Sequence, residues 1–212
     1  MSAESGLKTF RDADGLWEGH DVLDVASPEG FAANPELVLD FYNQRRRQLL
    51  EAGPNSAHIQ LADLERSFKV TIITQNVDDL HERAGSSQVY HLHGELFKVR
   101  STFDETDIKV WKKDLLLGET CEKGYQLRPH IVWFGEAVPM MEKAIDICQT
   151  ADRLIIIGTS LQVYPAASLM NYVSSSTKIY YIDPKPSLNS HINFTVINET
   201  ATIGLKKLKK IL

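Results

Sequence analysis

Cysteine is scarce in this chain: there are two in 212 residues, Cys121 and Cys148. Two thiols cannot build the disulfide framework of a small secreted domain, and the scarcity fits a reducing cytoplasm. Long uncharged apolar runs are missing, so no helical membrane span is expected. Basic charge is not in excess either. With 23 Lys and Arg against 28 Asp and Glu, the net charge is -5, which argues against a nucleic-acid binder. The polar start Met1-Ser2-Ala3-Glu4-Ser5 lacks the apolar stretch of a secretory leader. Internal repeats and low-complexity tracts are also lacking. What remains is 43% hydrophobic and 24% charged, an ordinary globular composition, and long enough for one large domain or a domain with an insertion.

The most informative stretch runs over residues 74–95. Residues 69–74 are short, apolar and β-branched, as in a buried strand of a parallel sheet. Gln75, Asn76, Val77 and Asp78 follow at the strand's carboxyl end, where ligands bind in open α/β sheets. Residues 88–92 predict a second strand, delivering His93 with Gly94 behind it. Amides, a carboxylate and an imidazole at adjacent strand ends make a polar site over an apolar sheet. The same Asn and Asp would serve equally to cap the next helix, and the two readings stand side by side.

Elsewhere the spacing alternates helix and strand. Asn34-Pro35 marks a helix start, and Leu37, Val38, Phe41, Arg45 and Leu49 recur at helical intervals. Residues 28–67 thus predict a small helical module broken at Gly53-Pro54. Tyr42 and Arg45, three apart, share a helix face. The run Arg45-Arg46-Arg47 also reads as a solvated charge patch. A strand is expected at 131–134 and a helix at 140–150 with Ala144, Ile145 and Ile147 inward. Arg153–Ile157 predicts a strand ending in Gly158-Thr159-Ser160, 166–173 a helix, and Lys178–Ile182 a strand ending in Asp183. Leu205, Leu208 and Leu212 stripe a closing helix. Histidines other than His93 are expected to be packing residues.

TQNVDDLHERAG at 74–85 with HLHGEL at 91–96 resembles the sirtuins, the NAD-dependent protein lysine deacylases. SAESGLKTFRDADGLWE at 2–18, LRPHIVWFGE at 127–136 and IIIGTSLQVYPA at 155–166 extend the resemblance over nearly the whole chain. The nearest resemblance is to the bacterial branch that also removes acidic acyl groups. It implies one catalytic domain over 1–212: α/β, a Rossmann-like parallel sheet with helices on both faces plus a small inserted module. It further implies a deacylase, with desuccinylase or demalonylase capacity, that consumes NAD and releases nicotinamide and an O-acyl-ADP-ribose. His93 becomes the general base. Gln75, Asn76, Val77 and Asp78 meet the cofactor, with Asn76 and Asp78 on the nicotinamide carboxamide. Phe10 covers the nicotinamide-ribose face, and Arg11 is an electrostatic partner. Gly158, Thr159 and Ser160 take the ribose-phosphate contact, Asp183 the adenosine ribose, and Ala201 lies against adenine. Tyr42 and Arg45 receive an acidic acyl group. Val132, Phe134 and Gly135 pair with the acylated lysine peptide. A mono-ADP-ribosyltransferase and a non-catalytic NAD-binding remnant are the alternatives.

Two departures from the family stand out. Relatives open with a strand and a Gly-Ala-Gly-Ile-Ser loop facing the NAD diphosphate, and Met1 stands where that Ile would be. An internal methionine taken as the start, or a deletion, would produce this pattern. The expectation is then that residues 1–212 bind NAD poorly and tend to aggregate. Residues 96–127 match a module that relatives hold with two Cys-x-x-Cys pairs on zinc. Here only Cys121 is present, with Ser101 and Asp104 where the first pair would fall. No zinc is expected, and Phe103, Val110, Trp111, Leu115, Leu116 and Leu117 are expected to hold the module by packing.

Overall fold

The computed structural model describes residues 1–8, 16, 17, 19–190 and 193–212. A 3-10 turn at Ser2–Ser5 precedes β1 (Leu16–Trp17), which pairs antiparallel with β2 (His20–Asp21). Four helices follow: α1 (Val22–Val25), α2 (Pro28–Ala33), α3 (Pro35–Glu51) and α4 (Ser56–Leu64). Their starts are written in the sequence. Ser27 and Asn34 accept the Gly30 and Leu37 N–H groups, each followed by a proline in the first helical turn. After the break at Gly53-Pro54, Asn55 and His58 form a reciprocal capping box at α4. His58 is fully buried, the packing histidine it was expected to be.

The parallel sheet comes in two parts. β3 (Ile72–Thr74) leads through α5 (Leu80–Arg83) to β4 (Val89–His91), in register Ile72 to Val89 and Thr74 to His91. β3 is shorter than the run over 69–74 suggests. Between the two parts lie β5 (Gly94–Ser101), β6 (Ile108–Val110), β7 (Leu127–Ile131) and α6 (Met141–Gln149). β8 (Arg153–Ile157) then leads through a 3-10 helix at Ala166–Tyr172 to β9 (Lys178–Ile182) and β10 (Phe194–Ile197), and α7 (Ala201–Leu208) closes the chain. The orders are β4-β3 and β10-β9-β8, all parallel; among the described residues no ladder joins β3 to β8.

Side chains alternate across the strands, so each face acquires its own cover. Ile72, Ile155, Ile157, Tyr180 and Ile182 pack with Leu61 and Leu64 of α4 and Leu205 and Leu208 of α7. On the opposite side, Ile156 and Tyr181 pack with Phe194 and Met170, and Ile73 with Leu92, Ala144 and Ala166. Helices therefore lie on both faces, as expected of a Rossmann-like sheet. On α6 the inward residues are Ala144 and Cys148 rather than Ile145 and Ile147, because the helix presents its i, i+4 row to the sheet.

β5 pairs antiparallel with both β6 and β7, forming the inserted module. Gly94 has φ +83°, and a Cβ there would meet the His130 carbonyl oxygen at 2.1 Å; only glycine allows β5 to cross β7 so closely. The module's core differs from expectation. Leu115 is fully buried, but Phe103, Val110, Leu116 and Leu117 are exposed and Trp111 is only partly covered. Val99, Leu127, Cys121 and Leu39 of α3 supply the packing instead, since the module leans on α3. The strand expected at 131–134 also moves: β7 ends at Ile131, and 132–134 run on without a ladder of their own.

Candidate active site

Thr74 ends β3, and its hydroxyl accepts the Asn76 N–H at 3.0 Å, turning the chain at the sheet's carboxyl edge. Asn76 Nδ2 donates to Ser2 Oγ at 2.8 Å, and its carbonyl accepts from His91 Nδ1 at 3.2 Å. His91 Nε2 lies 2.7 Å from Glu82. Burial opposes the His91 cation, but the bonded Glu82 carboxylate holds its pKa above the ordinary value. Both ring nitrogens of that cation donate, clamping the Asn76 backbone. Val77 is fixed by its carbonyl, which accepts the Leu96 N–H at 2.8 Å.

His93 sits beside this turn. Its Nδ1 lies 3.1 Å from the Gln75 carbonyl oxygen, which can only accept. The ring proton is therefore on Nδ1, and Nε2 carries the lone pair. Burial lowers the His93 pKa, partly countered by the Gln75 bond, so the ring is neutral and basic near pH 7. Asp78 is 6% exposed; burial pushes its pKa up, against the hydrogen bonds from Ser2 and Leu80. Its Oδ1 accepts the Leu80 N–H at 3.2 Å, two residues on, while the residue that caps α5 is Asp79, which makes no side-chain cap bond.

Gly158 follows β8 with φ +61°, and a Cβ on it would approach the Met1 nitrogen to 2.7 Å. Thr159 Oγ1 accepts the Leu161 N–H, and the Thr159 carbonyl accepts from the Tyr181 hydroxyl at 2.8 Å. The Ser160 carbonyl accepts from Ser187. One cavity of about 1680 Å³ is lined by Gln75, Asn76, Val77, Asp78 and His93, by Gly158, Thr159 and Ser160, and by Ala201. Asp183 does not line it: it is 1% exposed, and its carboxylate accepts the Lys185 N–H at 2.8 Å. Lys185 and Pro184 reach the cavity in its place. Phe10 and Arg11 lie outside the described residues.

The same cavity reaches Tyr42 and Arg45 on α3 and Val132, Phe134 and Gly135 after β7. The arginine triplet divides. Arg45 stacks its guanidinium 4.7 Å from the Phe41 ring centroid, while Arg46 is 1% exposed and bonded to Leu96 O and Asn43 Oδ1. Only Arg47 behaves as a solvated charge, pairing with Asp114. The Tyr42 phenol is buried and accepts the Trp133 indole N–H at 2.9 Å. Val132 N–H donates to His93 O, Trp133 N–H to Glu136, and Phe134 N–H to Ala26 O. With those amides engaged, any ladder with a peptide along 132–134 runs through carbonyl groups. Trp133 and Glu136 escaped the sequence reading; the only signal was their place in the run 127–136.

The module offers no fit for the zinc that the resemblance suggests there. Ser101 Oγ lies 3.4 Å from Cys121 Sγ, and the Asp104 carboxylate is taken up by Thr106 and Lys123. One thiol, one hydroxyl and an engaged carboxylate do not make a tetrahedral thiolate site. Among the described residues no cluster of three or more His, Cys, Asp or Glu could hold a metal.

A family model described as the Sir2 family matches residues 1–165. A Helicobacter pylori protein named NAD-dependent protein deacylase is 60% identical over 210 residues, covering 98% of this chain and 91% of that protein. The crystal structure of a Sir2 homolog–NAD complex superposes with a TM-score of 0.87 at 38% identity, over 99% of this chain and 86% of that one. A structure of Sir2 bound to acetylated peptide gives 0.82 at 27% identity, over 99% and 88%.

Proposed function

The chain belongs to the Sir2 family and is an NAD-dependent protein deacylase, and we propose that the cleft between β3, β8 and α3 carries the reaction through His93. The observation that carries this reading is the tautomer of His93, whose bond to the Gln75 carbonyl leaves Nε2 as a neutral acceptor in the cavity. Asn76 and Asp78 suit a carboxamide, which offers both an acceptor and donors. The acyl oxygen of a bound acyl-lysine displaces nicotinamide from its ribose carbon. His93 then takes a proton from a ribose hydroxyl, and the resulting alkoxide attacks the imidate carbon. Water completes the exchange, giving free lysine and an O-acyl-ADP-ribose. NAD is consumed and carries no hydride.

Its substrates are acyl-lysine peptides, and we assign Tyr42 and Arg45 to the acyl end. A guanidinium and a phenol together suit the terminal carboxylate of a succinyl or malonyl group. Among the described residues no helix is long and apolar enough to cross a membrane. The scarcity of cysteine supports a cytoplasmic setting.

The test follows label from adenine-labelled NAD in the presence of an acetyl-lysine peptide. Free-lysine peptide and nicotinamide should form one for one, with the label on a small acyl ester. Label on protein or peptide would instead identify an ADP-ribosyltransferase.

A further inference from the structure

We propose that Trp133 is a positioning residue for acyl selectivity: its indole N–H holds the Tyr42 phenol oxygen so that the phenol proton is presented to an acidic acyl group. This rests on the assignment of Tyr42 and Arg45 to the acyl end of the cleft.

An indole nitrogen can only donate, so the direction of the 2.9 Å bond between Trp133 Nε1 and the Tyr42 hydroxyl is unambiguous. The phenol oxygen accepts it on one side. A phenol hydroxyl lies in or near its ring plane, with its proton to one side or the other. With one side occupied by the indole, the proton is turned to the opposite side. No acceptor for that proton is found among the described residues. Burial raises the phenol's pKa, so the group stays a donor, and the Arg45 and Arg128 charges both bear on it. Tyr42, Arg45 and Trp133 all line the same cavity. A carboxylate entering there would supply the missing acceptor and meet the Arg45 charge; an acetyl methyl would do neither.

The indole is itself immobile. Trp133 is 3% exposed, and its backbone N–H is bonded to Glu136 at 2.7 Å. The Arg128 guanidinium lies 3.4 Å from its ring centroid and Phe31 packs at 5.3 Å. A rigid donor fixes a hydroxyl rotor that would otherwise turn freely, and the selectivity follows from that.

The experiment replaces Trp133 by its benzothienyl isostere, which puts sulfur in place of the N–H and keeps the ring's shape. Trp133→Phe is a second variant, and Tyr42→Phe and the double variant complete a cycle. The readout is the ratio of kcat/KM for a succinyl-lysine peptide to that for the acetyl-lysine peptide, beside the melting temperature. The isostere and Tyr42→Phe should each lower the ratio about tenfold, through KM of the succinyl peptide. The double variant should lower it no further, because both changes remove one interaction. An isostere that keeps the ratio while Tyr42→Phe lowers it overturns the role of Trp133 and leaves the acyl assignment standing. So does a double variant whose losses multiply. If Tyr42→Phe and Arg45→Met both keep the ratio, the acyl assignment fails and the proposal with it.

Discussion

The Trp133 backbone N–H donates to the Glu136 carboxylate at 2.7 Å. That carboxylate also accepts from Arg128 at 2.6 and 3.1 Å and from Arg100 at 3.2 and 3.3 Å. The side chains of Glu136, Arg128 and Arg100 are 18%, 10% and 5% exposed, so the cluster is largely desolvated. Glu136→Gln would leave Arg128 without its charged partner and Arg100 with only the exposed Glu105, 3.8 Å away, and should cost about 2–3 kcal/mol of stability. Urea unfolding checks it. A loss under about 0.5 kcal/mol would show that the turn over 132–136 is held by other contacts.

Burial holds the His93 pKa below its ordinary value. A base with a lowered pKa stays neutral further into acid, so activity persists as pH falls. The acid limb of kcat/KM should therefore have its midpoint below about 6.5. A midpoint at or above pH 7 would contradict the environment described for this ring.

Two buried imidazoles make stability depend on acid. Burial lowers His58 to about 3 and His81 to about 4; His81, its ring 4.9 Å away, further disfavours the His58 charge, and His91 disfavours that of His81. Unfolded imidazoles take up protons near pH ~6.5, well above the folded values. Their contribution is then complete above about pH 6.5 and is lost as pH falls toward 4. His91, whose pKa is raised, works in the opposite direction. The melting temperature should drop between pH 7 and 5, and His58→Gln should flatten the drop. Gln can still complete the capping box with Asn55 but cannot titrate. Equal slopes for both proteins would rule the pair out as the cause.

The inserted module has hydrogen bonds where a thiolate site would need sulfurs. Elemental analysis of the purified protein should find well under one zinc per chain, and a chelator should leave the melting temperature unchanged. A stoichiometric metal whose removal lowers that temperature would contradict this account of Ser101, Asp104 and Cys121.

Much of this was legible where local chemistry decides structure. Arg153–Ile157 and Lys178–Ile182 are strands with the expected bounds, because β-branched runs between polar ends have few alternatives. The cap at Asn34 was legible because the proline behind it marks a first helical turn, whereas the cap at Asn55 was not read. Phe103, Val110, Leu116 and Leu117 misled, because apolarity alone does not say which side of a two-layered hairpin faces α3. β10 went unread: Phe194–Ile197 is four residues long and is specified by pairing with β9, a long-range fact. Asp183 is a similar case. Its place at a strand end was correct, yet its carboxylate turns into the 183–185 loop. Trp133 was hidden because its significance lies in Tyr42, 91 residues away.

The central claim is that His93 Nε2 is the base for deacylation, and steady-state turnover of His93→Ala with NAD and an acyl-lysine peptide tests it most directly. A general base contributes roughly 10²–10⁴-fold in rate. The account predicts a loss of at least that order, with the melting temperature held near that of the unmodified protein. Turnover comparable to the unmodified protein would remove His93 from the mechanism.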